Sequence, residues 1–100
     1  MQYQIFTTSS GQRSLRKLPK HAKKPLLREI QKLRTQPRLG EQLKAEFRFL
    51  RSLHFKHGNI DYRVAYEIDD KTKEIAIRYA DNRENFYKKL RRMKLKPLPH

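Results

Sequence analysis

The sequence predicts an α+β fold: a small, mostly antiparallel sheet in the order strand-helix-helix-strand-strand-strand-helix. Three observations carry this. Ile60, Tyr62, Val64, Tyr66 and Ile68 alternate with Asp61, Arg63, Ala65 and Glu67, the period of a strand with one apolar and one polar face. Ile75, Ile77 and Tyr79 alternate in the same way with Glu74, Ala76, Arg78 and Ala80, and the polar run 69–73 between the two reads as the turn of an antiparallel hairpin. On either side of this sheet signal, apolar residues recur at helical spacing. One hairpin face needs a core, and the other carries Arg63 and Arg78 into the open.

In chain order, Tyr3 and Ile5 alternate with Gln4 and Phe6 as a short first strand. Thr7-Thr-Ser-Ser10 supplies capping hydroxyls for a short helix that presents Leu15 and Leu18 and ends before Pro19. A second helix is expected from Pro19 to about Gln36. Its apolar stripe is Leu26, Leu27, Ile30 and Leu33, with Lys23, Lys24, Arg28, Lys32 and Arg34 on the remaining faces. Pro25 conflicts with that helix because it removes a backbone donor. Pro37-Arg-Leu-Gly40 ends it.

The stretch from Leu43 to Lys56 reads as the next strand. Phe47, Phe49, Leu53 and Phe55 share one face, and Leu50, Ser52, His54 and Lys56 share the other. Arg51 falls on the apolar face, so a bulge or a frayed end is expected there. His57-Gly-Asn59 is a turn into the strand that carries Arg63. After the last strand, Asp81 with Glu84 three residues on reads as a capping box. The final helix presents Phe86, Leu90 and Met93 on one side and Lys88, Lys89, Arg91, Arg92, Lys94 and Lys96 on the others; Pro97 stops it. The whole chain, 1–100, reads as one domain with a basic C-terminal helix over 82–96 and a short tail at 97–100.

Charge narrows the function. The chain has 25 Lys and Arg against 10 Asp and Glu, a formal net charge of +15 in 100 residues. Self-repulsion of that size opposes compaction, so the excess points to a polyanionic partner, either nucleic acid or an acidic protein. With no cysteine, disulfide and thiolate chemistry are excluded. No apolar run approaches the ~20 residues of a membrane span. The first residues enter a strand pattern at once and lack a signal-peptide layout, so the expected setting is cytoplasmic.

Four segments together resemble the RelE/ParE superfamily of bacterial toxins: Leu15-Arg-Lys-Leu-Pro-Lys20, Pro37-x-x-Gly-x-x-Leu-Lys44, Tyr62-Arg-Val-Ala-Tyr66 and Asn82-Arg-Glu-Asn-Phe-Tyr87. The resemblance spans nearly the whole chain and agrees with the element order. For the RelE branch it implies a toxin of a toxin–antitoxin system, an endoribonuclease that enters the ribosomal decoding site and cuts messenger RNA. The implied reaction is in-line attack of a ribose 2′-hydroxyl on the adjacent phosphate, with no metal and no cofactor. The family's strand arginine falls on Arg63, its arginine before the last helix on Arg83 and its helix tyrosine on Tyr87. Asn82 stands where the family commonly has a basic residue or histidine. The family's lysine-rich strand is matched loosely by His54 and Lys56, with Arg51 nearby. The ParE branch implies a different activity on the same fold, inhibition of DNA gyrase by binding alone. Either branch implies a cognate antitoxin, acidic and partly disordered when free, which suits this basic surface.

The residue chemistry is consistent with the nuclease roles. Phosphoryl transfer gathers charge on nonbridging oxygens, which fixed guanidinium donors stabilise. Arg63 projects from a polar strand face, Arg83 lies in a first helical turn whose free amides favour anions, and Tyr87 follows one turn later. His54 and Lys56, two apart on one strand face, are the candidates for proton transfer. Histidine titrates near neutral pH, whereas a lysine needs its pKa lowered. Tyr87 also reads as a core-edge aromatic beside Phe86. His54 and His57 lack further ligands at metal spacing. Arg51, Arg78, Lys88, Lys89, Arg91 and Arg92 are the expected RNA-binding cations.

Overall fold

The computed structural model describes residues 2–99. Its elements are β1 (Gln4–Thr7), α1 (Ser9–Arg16), α2 (Lys20–Gln31), β2 (Glu41–Gln42), β3 (Arg51–His57), β4 (Ile60–Asp69), β5 (Glu74–Asn82) and α3 (Arg83–Met93). Together they form the α+β fold that the sequence predicts, with a minimal additional strand, β2. The five strands lie in the order β1-β5-β4-β3-β2, antiparallel except for the parallel β1–β5 pair.

The sheet separates two apolar layers. On one face Leu18, Ala22, Leu26, Ile30 and Leu33 pack against Tyr62, Val64, Tyr66, Ile75 and Ile77. On the other, Phe86 and Leu90 of α3 pack against Ala65 and Tyr79, joined by Leu43 and Leu50. Phe86 and Leu90 have no exposed surface, and each contributes about 1.5–3 kcal/mol of burial that holds α3 to the sheet.

Local chemistry sets the boundaries. The Thr8 hydroxyl accepts from the Gly11 N–H and caps α1. Gly11 is required by proximity, because a Cβ there would sit 2.1 Å from the Ile77 carbonyl oxygen. The helix α2 runs through Pro25 without breaking and then tightens into a 3₁₀ turn over Lys32–Arg34. Leu27, expected in its apolar stripe, is exposed; Ala22 replaces it in the core. The reason is spacing, since Ala22, Leu26, Ile30 and Leu33 follow the i, i+4, i+8 line more closely than Leu27 does. The two-residue Gly58-Asn59 turn joins β3 to β4, with Gly58 at φ 62. Asp69 Oδ1 accepts from the Lys71 and Thr72 N–H groups and closes the β4–β5 turn.

Three element boundaries differ from those expected. The strand expected over Leu43–Lys56 begins only at Arg51. Before it, Ala45–Phe47 forms a 3₁₀ turn, entered through Ala45 at φ 55 and closed by the Leu43 N–H donating to the Leu50 carbonyl. Burying Leu43 and Leu50 together requires that reversal. Second, the N-cap of α3 is Asn82, whose side chain accepts from the Asn85 N–H. Asp81 remains in β5 and points at the Tyr79 hydroxyl instead. Third, α3 stops at Met93, where Lys94 turns left-handed at φ 50, short of the expected end at residue 96.

The hairpin contains the largest correction. Register runs Val64↔Ala80, Ala65↔Tyr79, Tyr66↔Ile77, so β5 carries one extra residue. This bulge inverts the alternation beyond Ile77. Ala80 joins the α1/α2 face with Ile75 and Ile77, and Tyr79 moves to the α3 face. Arg78, expected in the open, is 5% exposed. It forms a buried ion pair with Glu67 and donates to the Lys96 carbonyl, while the Leu98 N–H donates to Glu67 Oε2. A guanidinium in that setting is held by charge and by the returning C-terminal segment, and it is not available as an RNA-binding cation.

Candidate active site and the family of the chain

The polar face of the β3–β4–β5 sheet, where α3 leaves it uncovered, collects most of the residues singled out from the sequence. Register places His54 of β3 directly opposite Arg63 of β4, and Arg63 opposite Asp81 of β5. Residues paired across antiparallel strands share a face, so His54, Arg63 and Asp81 form one row. Lys56 and Asp61 are paired in the next row toward the hairpin turn.

Arg63 is the centre of this row. Its side chain is 15% exposed, and Nη1 donates to Glu41 Oε1 at 3.2 Å and to Ser52 Oγ at 3.3 Å. Its Cζ lies 6.0 Å from the centre of the Tyr87 ring, at the limit of a cation–π contact. Its Nε is buried with no hydrogen-bond partner among the described residues, so the resting contacts leave part of its donor capacity unused. An open cleft of about 600 Å³ beside it is lined by Gly40, Glu41, Ser52, His54 and Arg63, among others.

Tyr87 lies between Phe86 and Arg63. It is partly buried, meets Phe86 edge-on with ring centres 4.9 Å apart, and turns its ring toward Arg63. Arg83 is exposed in the first turn of α3, one helical turn before Tyr87. It lines a separate shallow cleft of about 450 Å³ with Asp61 and Asn82.

His54 Nε2 lies 3.0 Å from Asp61 Oδ1. That hydrogen bond is the largest influence holding the Asp61 carboxyl below its ordinary pKa; burial opposes it, and the charges of His54, Lys56 and Arg83 add to it. At the other end of the row, burial and then the hydrogen bond to Asp81 push the Tyr79 phenol well above its ordinary value. Lys89 Nζ lies 3.6 Å from the same Asp81.

The remaining expected cations separate. Arg51 turns to the opposite sheet face, where Nη1 donates to the carbonyls of Gly40 and Arg38. It secures the chain entering β2 and is not part of the Arg63 row. Lys88, Lys89, Arg91 and Arg92 are exposed on α3. Glu41, Ser52 and Asp61 had no role in the sequence reading. Asp61 was visible there as a neighbour of Arg63 on the polar face, whereas Glu41 arrives through a connection with no periodic signal. Among the described residues no group of three or more His, Cys, Asp or Glu could hold a metal ion, and no helix is long and apolar enough to cross a membrane.

Solved structures share this fold. A chain of the toxin–antitoxin complex RelBE2 from Mycobacterium tuberculosis is 28% identical with a TM-score of 0.71, over 83% of this chain and 100% of that one. Free Escherichia coli RelE bearing two arginine substitutions matches at 15% identity and TM-score 0.71, over 93% and 99%. A chain of the archaeal RelE–RelB complex from Pyrococcus horikoshii matches at 22% and 0.58, over 83% and 97%. No curated protein matches the sequence. The model of the ParE-like toxins of type II bacterial toxin–antitoxin systems matches residues 5–91. With the family matched across most of its length and the RelE fold around the Arg63 row, the chain is a member of the ParE-like toxin family of type II bacterial toxin–antitoxin systems.

Proposed function

We propose that this toxin is a ribosome-dependent endoribonuclease that cuts messenger RNA in the cytoplasm and so arrests translation. The observation that carries this reading is the Arg63 row: a guanidinium with an unused donor, 6.0 Å from the Tyr87 ring and directly across the hairpin from His54. The assignment of roles follows from chemistry. Arg63 stabilises the phosphorane-like charge, and a scissile phosphate displaces the exposed carboxylate of Glu41 from it. His54 or Lys56 takes the proton of the attacking 2′-hydroxyl, and Tyr87 or the other of that pair returns one to the departing 5′-oxygen. Arg83, at the open N-terminus of α3, binds a neighbouring phosphate. The exposed cations Lys88, Lys89, Arg91 and Arg92 contact ribosomal RNA. A cognate antitoxin, acidic and disordered when free, is the third partner after ribosome and messenger RNA.

The family match supports a second reading, in which the chain binds and inhibits DNA gyrase without cleaving RNA. One experiment separates them. The toxin is added to a purified translation system and the messenger RNA ends are mapped by primer extension; supercoiling by gyrase is assayed in parallel. Cuts in codon register that require ribosomes support the nuclease. Intact RNA with inhibited supercoiling replaces it with the gyrase reading.

A further inference from the structure

The imidazole of His54 is held by one group, the carboxylate of Asp61. In the β3–β4 ladder Asp61 stands opposite Lys56, but its Oδ1 reaches diagonally to His54 Nε2 at 3.0 Å. Diagonal neighbours on one face of an antiparallel pair lie within reach of longer side chains. His54 lines the cleft beside Arg63, whereas Asp61 lines the neighbouring cleft with Arg83. The carboxylate therefore grips the ring from outside the space left for a phosphate at Arg63.

The bond has a direction. It is the first cause of the lowered Asp61 pKa, so that carboxyl is ionised at neutral pH. An ionised carboxylate only accepts, and the proton in the contact belongs to Nε2. In a neutral imidazole the lone pair then sits on Nδ1. The His54 side chain is 51% exposed, and among the described residues it has no second hydrogen bond. Without Asp61 the ring would be free to turn and to exchange tautomers. Charge adds a second effect. A proton taken up by His54 makes a cation near Arg63 across the ladder, Lys56 along β3 and Arg83 beside Asp61. Glu41 is bound to Arg63, and Glu29 and Lys32 on the cleft wall are paired with each other, which leaves Asp61 to offset that cation.

We infer that Asp61 is a positioning residue for the proposed cleavage: it holds the proton on His54 Nε2 and leaves Nδ1 to take the proton of the attacking 2′-hydroxyl. The O2′–H bond breaks toward Nδ1 while O2′ forms its bond to phosphorus. The P–O5′ bond breaks with its electron pair on O5′, which Tyr87 or Lys56 protonates. The imidazolium that results keeps its Nε2–H on Asp61. This inference rests on the nuclease reading, and within it selects His54 over Lys56 as the base.

The test joins spectroscopy to kinetics, with circular dichroism showing that each variant is folded. Nitrogen-labelled wild type and Asp61→Ala are compared by long-range proton–nitrogen correlation at about pH 9, where an ordinary imidazole is neutral. The signal missing from His54→Ala assigns the ring. Wild type is expected to show the single Nε2–H tautomer, and Asp61→Ala a mixture of the two. In single-turnover cleavage on ribosomes, Asp61→Ala is expected to slow the step about tenfold to a hundredfold, with KM little changed. Asp61→Glu is expected to recover part of that loss. In a His54→Ala background the Asp61→Ala change is expected to cost less than about twofold, because its effect passes through the ring. The same tautomer signal in both proteins, full activity in Asp61→Ala, or an undiminished loss in the His54→Ala background overturns the role alone. Wild type that leaves messenger RNA intact on ribosomes overturns the nuclease reading and this role with it.

Discussion

The guanidinium of Arg63 lies 6.0 Å from the centre of the Tyr87 ring, although the two residues come from a central strand and the last helix. The buried pair Phe86 and Leu90 sets that spacing by seating α3 against Ala65 and Tyr79. Arg63→Ala is therefore expected to reduce messenger RNA cleavage on the order of a hundredfold, the usual loss when a transition-state donor is removed. Its stability change is expected to be about 1–2 kcal/mol, because the pair with the exposed Glu41 carboxylate contributes little while the buried Ser52 hydroxyl loses its partner. Primer extension and a denaturant melt on the same preparation check both, and full activity in folded variant protein removes the nuclease proposal.

The contact between His54 and Asp61 gives a pH prediction. The Asp61 pKa is lowered in the fold, so its stabilising contribution is present above the unfolded carboxylate value and disappears only as pH falls through the lower folded value. The carboxylate that faces His54 is thus ionised throughout the neutral range. If His54 is the base, His54→Ala slows single-turnover cleavage by roughly two to four powers of ten and flattens the rise of its rate with pH. A profile unchanged by His54→Ala transfers the role to Lys56 or Tyr87.

Glu67 and Arg78 form a buried pair that also holds the backbone at Lys96 and Leu98. Replacing either with Ala leaves the other charge buried, at a cost of about 3–5 kcal/mol. The double replacement should cost less than the sum of the single ones, with a coupling of about 1–3 kcal/mol in a double-mutant cycle measured by urea unfolding. Additive losses would show that the two residues act independently.

Gly11→Ala tests the seating of α1 on β5. The new methyl would sit 2.1 Å from the Ile77 carbonyl oxygen, against backbone that has no side-chain freedom to yield. A loss of about 2–3 kcal/mol is expected in thermal or denaturant unfolding. A variant as stable as wild type would mean that α1 can lift from the strand.

Ribosome association should weaken steeply with salt if several exposed cations displace counterions. Neutralising Lys88, Lys89, Arg91 and Arg92 together should flatten that dependence in a sedimentation assay. Salt-insensitive binding would assign the basic face of α3 to solvent.

The order of the elements apart from β2, the hairpin, the polar strand faces that carry His54 and Arg63, and the helix that carries Tyr87 are legible in the sequence. Each of these rests on local periodicity, or on the strict twofold alternation that carries partners onto one face. Tertiary structure alone decided where that alternation is interrupted. One extra residue in β5 sends Tyr79 to the α3 side and buries Arg78 against Glu67, and no single-strand pattern shows a bulge that exists only relative to its neighbour. The same holds for Arg51, whose guanidinium is committed to the carbonyls of Gly40 and Arg38 by a connection that folds back over the sheet. It holds also for Glu41, which reaches Arg63 from 22 residues away in sequence. Positive charge in the sequence indicated a polyanionic partner; which cations face solvent and which are buried depended on packing, because burial is a property of what surrounds a residue and not of the residue itself.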